Sequence, residues 1–210
     1  MDLFLYAFAA LFSIMNPLGT VPIYVGLTQE EDTAERKKTA LITAVNVLVI
    51  LLISFFLGKY LLEFFGISLN SLRIAGGLII VSSGFALLTG SFAKHKGMKN
   101  KRVQKDLSQR ERFSLTPLAI PMLAGPGSIS LLISFQQEYN HTSEILFIIL
   151  AITLTCLVTF FILRSAYLIV KVLGASGINA ISRIIGFIVI AIGIEYISSS
   201  VLEILKVLTP

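Results

Sequence analysis

The chain has 210 residues, of which 55% are hydrophobic and 14% charged, with a formal net charge of +5 and a mean hydropathy of +0.87. That balance excludes an ordinary water-soluble domain, in which about 25% of residues are charged. The single cysteine, Cys156, excludes a disulfide framework within the chain. The positive charge is gathered in one polar stretch, so it reads as a membrane-orientation signal and no nucleic-acid partner is expected.

Six apolar stretches follow one another, at roughly residues 3–27, 39–62, 70–90, 115–136, 144–165 and 178–203. Each can cover a bilayer core of about 20 helical residues. The first begins at Asp2, where a cleaved signal peptide would be basic, and continues well past Ala7 to Ala9. It is therefore expected to stay in place as a helix. Within it, Met15-Asn16-Pro17-Leu18-Gly19-Thr20-Val21-Pro22 sets helix breakers near mid-span. The fourth stretch repeats the device with Ala124-Gly125-Pro126-Gly127-Ser128-Ile129-Ser130. Between the third and fourth lies a basic, polar loop from Ser91 to Ser114, read as a solvated linker, with anionic lipid or a partner as its functional alternative.

The basic residues are sorted by side. Arg36, Lys37 and Lys38, eight residues between Lys94 and Arg112, and Arg164, Lys171 and Arg183 share one side, leaving Lys59, Arg73 and Lys206 on the other. This bias predicts a cytoplasmic 91–114 loop, both termini outside, and a multi-pass protein of the inner (cytoplasmic) membrane.

The similarity between the two halves extends beyond the breaks. Arg73-Ile74-Ala75-Gly76 leads into the third span and Arg183-Ile184-Ile185-Gly186 into the sixth, 110 residues apart, while Pro17 and Pro126 are 109 apart. Pairing Asn16-Pro17-Leu18-Gly19 with Thr116-Pro117-Leu118-Ala119 is a competing register that breaks the spacing to the Arg motifs. Either register divides one membrane domain, 1–210, into a three-helix repeat at 1–90, the basic loop at 91–114 and a second repeat at 115–210. Three is odd, so the halves are inverted. The predicted fold is all-α and polytopic: six transmembrane helices in two inverted three-helix repeats, the first and fourth helices broken. That architecture suits alternating access.

Broken backbone in hydrocarbon costs several kcal/mol per unpaired group, about 4–8 where nothing can hydrogen-bond, unless protein, water or ligand satisfies it. The residues after each break begin a half-helix whose N–H groups favour an anion, and those before it present carbonyls to a cation. A zwitterion needs both. The candidate substrate-binding residues are thus Asn16, Pro17, Gly19, Thr20, Gly125, Pro126, Gly127 and Ser128, with Ser130 beside them. Close helix packing is the alternative reading of the same small residues.

Asn16-Pro17-Leu18-Gly19 with Val21-Pro22-Ile23, and the run Pro117-Leu118-Ala119-Ile120-Pro121-Met122-Leu123-Ala124-Gly125-Pro126-Gly127-Ser128-Ile129-Ser130, resemble the two signature segments of the MarC family of bacterial and archaeal inner-membrane proteins. The resemblance covers the whole chain. It implies membership of the LysE-like transporter superfamily, in which amino-acid export is common, and SnatA-like members are associated with glycine and alanine. On that resemblance the cargo is a small neutral amino acid and export the direction. A permease or channel for another small solute, or a non-transporting scaffold, is the alternative.

Glu195 is the deepest carboxylate, in the sixth span, where charge costs about 2.5–3.5 kcal/mol unless paired or protonated. It is the candidate coupling residue, a water-facing vestibule or interface being the plainer reading. Arg73 and Arg183, near span entrances, read as interfacial anchors or helix-start charges. Asn46, Thr153, Thr155 and Thr159 read either as path lining or as interhelical hydrogen-bonding groups. An intramembrane enzyme would need a nucleophile with a base, paired aspartates or a metal cluster. Asp2, Asp32 and Asp106, and His95 and His141, all fall outside the spans, so no enzyme, metal site or cofactor is expected. The expected partners are a small-molecule substrate and membrane lipid, with a homo-oligomer left open.

Overall fold

The structure is a computed structural model that describes residues 2–89 and 123–208. Its described residues form seven α-helices: α1 (Asp2–Met15), α2 (Pro17–Leu27), α3 (Thr33–Phe65), α4 (Leu69–Leu88), α5 (Pro126–Glu138), α6 (Thr142–Arg164) and α7 (Ala166–Leu208). Five stretches are long and apolar enough to cross a bilayer: Asp2–Leu27, Thr33–Phe65, Leu69–Leu88, Thr142–Arg164 and Ser176–Lys206. Five of the six expected spans are therefore present. Of the remaining one, 115–136, the beginning lies outside the described residues, as does the basic 91–114 loop, and α5 is its described part.

Helix ends are written in the sequence. Asp32 caps α3 by accepting from the backbone N–H groups of Ala34 (2.7 Å) and Glu35 (2.8 Å), while the Glu35 carboxylate accepts from Asp32 N–H at 3.0 Å. Gly66 closes α3 in the left-handed region, φ 65°, and Ile67 N–H returns to the Leu62 carbonyl. Ser68 then caps α4 by accepting from Ser71 N–H. The turn between two spans thereby takes three residues.

The helices bury Leu11, Met15, Val47, Leu51, Phe55, Leu131, Phe135 and Ile152 against one another. Large apolar side chains such as Phe56, Tyr60, Phe64, Ile184 and Phe187 point outward, as a lipid-facing surface requires. The closest helix contact is between α4 and α7. A Cβ placed on Gly77 would stand 2.7 Å from the Gly193 carbonyl oxygen, and one on Gly193 2.8 Å from that of Gly77. Gly84 and Gly186 face each other in the same way, at 2.8 Å in both directions. Residue numbers rise on one helix as they fall on the other, so the two run antiparallel. Only glycine permits backbones this near.

One helix extends well beyond its apolar stretch, and one expectation is corrected. The stretch before the sixth span is helical from Ala166, and Gly174, with φ 63° and ψ 174°, breaks α7 there. Among the described residues Thr153, Thr155 and Thr159 do not bond across helices: their hydroxyls donate to the carbonyls of Ile149, Ala151 and Thr155, four residues back on α6.

Candidate functional site: two helix breaks and a charged vestibule

At 1.5 Å per residue, α2 is about 16 Å long and α5 about 20 Å, both short of a hydrocarbon core of about 30 Å. α2 starts midway along the apolar Asp2–Leu27 stretch. Asn16 makes the first break with φ 42° and ψ 65°, a left-handed conformation that asparagine tolerates better than most residues. Its Oδ1 accepts from Gly19 N–H at 3.1 Å, its carbonyl accepts from the Thr20 hydroxyl at 3.4 Å, and Pro17 takes the first helical position. The second break runs through Ala124 and Gly125 into Pro126, again at a helix start. There the Ser128 hydroxyl donates to the Leu123 carbonyl at 3.3 Å, relieving a group the break has orphaned.

The breaks approach one another through α1 and α5. A Cβ on Gly127 would lie 3.3 Å from Ile14 Cγ2, two residues before Asn16, and 2.9 Å from Ile80 of α4. Asn16, Pro17, Thr20, Gly127 and Ser128 are buried, Gly19 and Gly125 half-buried, and Pro126 is exposed. The space beside Gly127 is thus filled by isoleucines. That beside Gly19 is polar: its missing Cβ faces the Asn16 amide and, at 3.3 Å, the Ser182 hydroxyl of α7. Asn16 is 2% exposed, yet its Nδ2 donates to nothing among the described residues. Ser130 turns to α4, its hydroxyl donating to the Leu72 carbonyl at 3.3 Å beside Gly76.

Glu195 lies elsewhere. It lines a cavity of about 240 Å3 near the free ends of α1, α5 and α7, with Tyr6, Arg73 and Glu138. Tyr139, Tyr196 and Ser199 complete the wall. Arg73 lies near the start of α4 and is largely covered. Its side chain is 14% exposed; Nη2 meets the Glu138 carboxylate at 2.7 Å, Nε donates to Ser134 Oγ at 2.6 Å, and Nη1 is 3.9 Å from Glu203. One guanidinium thereby ties α4 to α5 and α7. Arg183 is exposed, as an interfacial anchor would be. The vestibule partners Tyr6, Glu138, Tyr139 and Tyr196 carry no mark in the sequence, because they come from three helices far apart along the chain.

The opposite face is closed by another cation. Arg36 Nε donates to the Thr28 carbonyl at 3.1 Å, beyond the end of α2, and its guanidinium lies 3.8 Å above the Tyr167 ring centre. Tyr167 in turn donates to the Thr28 carbonyl at 2.8 Å. Nearby, in the turn before α3, Glu31 accepts from the Thr39 hydroxyl at 3.0 Å, and burial holds its carboxyl above the usual carboxylate range.

Comparison with known proteins places the chain. The model of the MarC family integral membrane proteins matches residues 1–205. A UPF0056 membrane protein of Buchnera aphidicola subsp. Schizaphis graminum is 39% identical over 207 residues, 99% of this chain and 95% of its own. The UPF0056 membrane protein YhcE of Escherichia coli is 38% identical over 194 residues, 92% of this chain and 89% of its own. The UPF0056 inner membrane protein MarC of Salmonella typhimurium is 34% identical over 210 residues, covering 93% and 92%. No solved structure matches the chain. The two broken segments, the apolar spans and this similarity along nearly the whole length agree: the chain belongs to the MarC family of integral membrane proteins.

Proposed function

We propose that this protein is a secondary transporter of small neutral amino acids, glycine and alanine among them, working by alternating access around the two helix breaks. The observation that carries the reading is Asn16: a 2% exposed side chain whose Nδ2 has no partner among the described residues, at the start of a half-helix midway along an apolar span. A buried donor without an acceptor costs about 1–3 kcal/mol, and a substrate carboxylate at a helix N-terminus would satisfy it. Ser182, beside Gly19, supplies a second hydroxyl there.

Two inverted halves support alternation. Adding 109 to Gly77 and Gly84 gives Gly186 and Gly193, the same shift that carries Pro17 to Pro126. Under it the Gly77–Gly193 contact becomes Gly186–Gly84, so the α4–α7 seam maps onto itself, as a two-fold axis in the membrane plane demands. The charge bias orients the Arg36 face to the cytoplasm and the vestibule outward. Export as the direction, and membership of the LysE-like superfamily, rest on the resemblance. Glu195 is the candidate coupling carboxylate.

The test is radiolabelled glycine and alanine flux in proteoliposomes with and without imposed proton and sodium gradients. Asn16→Gly keeps the left-handed backbone and removes the amide, at a capping cost of only a few tenths of a kcal/mol. Flux should fall at least tenfold with folding intact. Unchanged flux, or none in the parent protein, would return the breaks to helix packing. Glu195→Gln should abolish gradient dependence while exchange persists.

A further inference from the structure

We propose that the vestibule is a second binding site, separate from the helix breaks, which takes the ammonium group of a small amine-bearing solute. Glu195 supplies the counter-charge, and Tyr6, Tyr139 and Tyr196 supply the walls.

The charges decide the sign of the ligand. Among the described residues Arg73 is the one cation lining this cavity, and its fork is occupied by Glu138, Ser134 and Glu203. Its side chain is largely covered, so a carboxylate ligand would have to displace one of these partners. Glu195 makes no ion pair among the described residues and faces the same space. Arg73, Glu138, Glu195 and Glu203 together are net negative, and the cavity between them favours a cation. Three of its lining residues are tyrosines, whose rings attract an ammonium group within about 6 Å of their faces. Pockets for drug-sized ligands run from about 300 Å3 upward, so a 240 Å3 cavity suits a smaller solute. Arg73 here is a positioning residue, holding Glu138 and, through it, the end of α5 against α4.

The molecule carries its own reporter. It has no tryptophan and six tyrosines, three of which line this cavity. Intrinsic tyrosine fluorescence of the purified full-length protein in an amine-free detergent is titrated with methylammonium chloride, glycine and sodium acetate at constant ionic strength. Saturable changes with methylammonium and glycine, and none with acetate, are expected. Glu195→Gln should weaken methylammonium at least tenfold and Glu195→Asp less, with unfolding temperatures matching the parent. Equal response to acetate would make Arg73 the receptor and overturn the proposal, as would full-strength methylammonium binding by Glu195→Gln or no saturable response in the parent. Asn16→Gly separates the two sites: it should lose flux yet keep this titration. Loss of the titration in that variant would merge the sites and overturn the proposal.

Discussion

The contact between α4 and α7 sets a sharp test, because glycine there is required by space and nothing else. In Gly84→Ala the new methyl would stand 2.7 Å from Ile190 Cγ1 and, with the side chain moved aside, still meet two backbone atoms, the Gly186 carbonyl oxygen at 2.8 Å and the Ile190 nitrogen at 2.9 Å. Neither backbone atom can swing away. Reaching an ordinary 3.4 Å contact requires the helices to part by about 0.6 Å along a packed seam, and overpacking of this kind costs about 1–3 kcal/mol. Alanine returns about 1 kcal/mol of backbone ordering, so the net loss centres near 1 kcal/mol, a fall of about 2–4 °C in a protein this size. Gly26→Ala is the control: it lies in α2 with nothing within 4 Å of the added carbon and should gain from the same ordering. Cys156, the sole cysteine and buried on α6, makes the assay simple. A thiol-reactive fluorophore reports its exposure as the protein is heated in detergent. Gly77→Ala with Gly84→Ala should be nearly additive, the sites being about 10 Å apart along α4. Gly77→Ala with Gly193→Ala should not be, since one shift of the helices relieves both. Melting of Gly84→Ala at or above Gly26→Ala would refute the requirement for glycine at this contact.

Other consequences are as direct. Asn16→Ala loses a cap worth about 1 kcal/mol and forces alanine into a left-handed conformation costing about 1–2 kcal/mol more; the thiol assay should place it well below Asn16→Gly. Tyr167→Phe removes the hydroxyl that holds the Thr28 carbonyl and should cost about 1 kcal/mol by the same assay, with no change in vestibule titration. Arg73→Lys keeps the charge but loses the fork, and should lower the melting temperature more than Glu138→Gln, because Ser134 also loses its partner. Glu31 gives a pH signature. Burial raises its carboxyl in the folded state, which then holds its proton more tightly than the unfolded chain. Stability should therefore decline as pH rises from the ordinary carboxylate value through the raised one, and level off above it. Melting curves of Glu31→Gln should match the parent at low pH and lie above it at pH 7.

What the sequence made legible is what is local. Apolar runs gave five described spans within a few residues of their observed ends, since burial in lipid demands uninterrupted helix. Asn16-Pro17 and Gly125-Pro126 announced the breaks, because proline cannot donate and suits only a helix start. The Arg-Ile-x-Gly motifs fell on the glycine seam without naming its contacts: motif spacing matched Gly76 to Gly186, whereas Gly76 packs on Ser130 and the seam pairs Gly77 with Gly193 and Gly84 with Gly186. Contacts between distant helices stayed hidden. Glu138 is 65 residues from Arg73, and nothing in either neighbourhood names the other. The threonines of α6 misled for the opposite reason: a hydroxyl four residues from a free carbonyl lobe bonds its own helix before it reaches another.

The α4–α7 seam also has a mechanical meaning. Where side chains interlock, sliding one helix past another requires each knob to leave its hole. Gly77, Gly84, Gly186 and Gly193 meet the facing carbonyl oxygens, with Ile197, Ile190, Leu87 and Val81 beside them, so much of the seam is backbone against backbone, where contacts are weak and re-formed after a small displacement. On the proposed alternating-access reading, this close seam among the described residues would serve as the bearing between the two halves, with the Arg73 contacts at one end and the Arg36 contacts at the other to be broken and re-made as it moves.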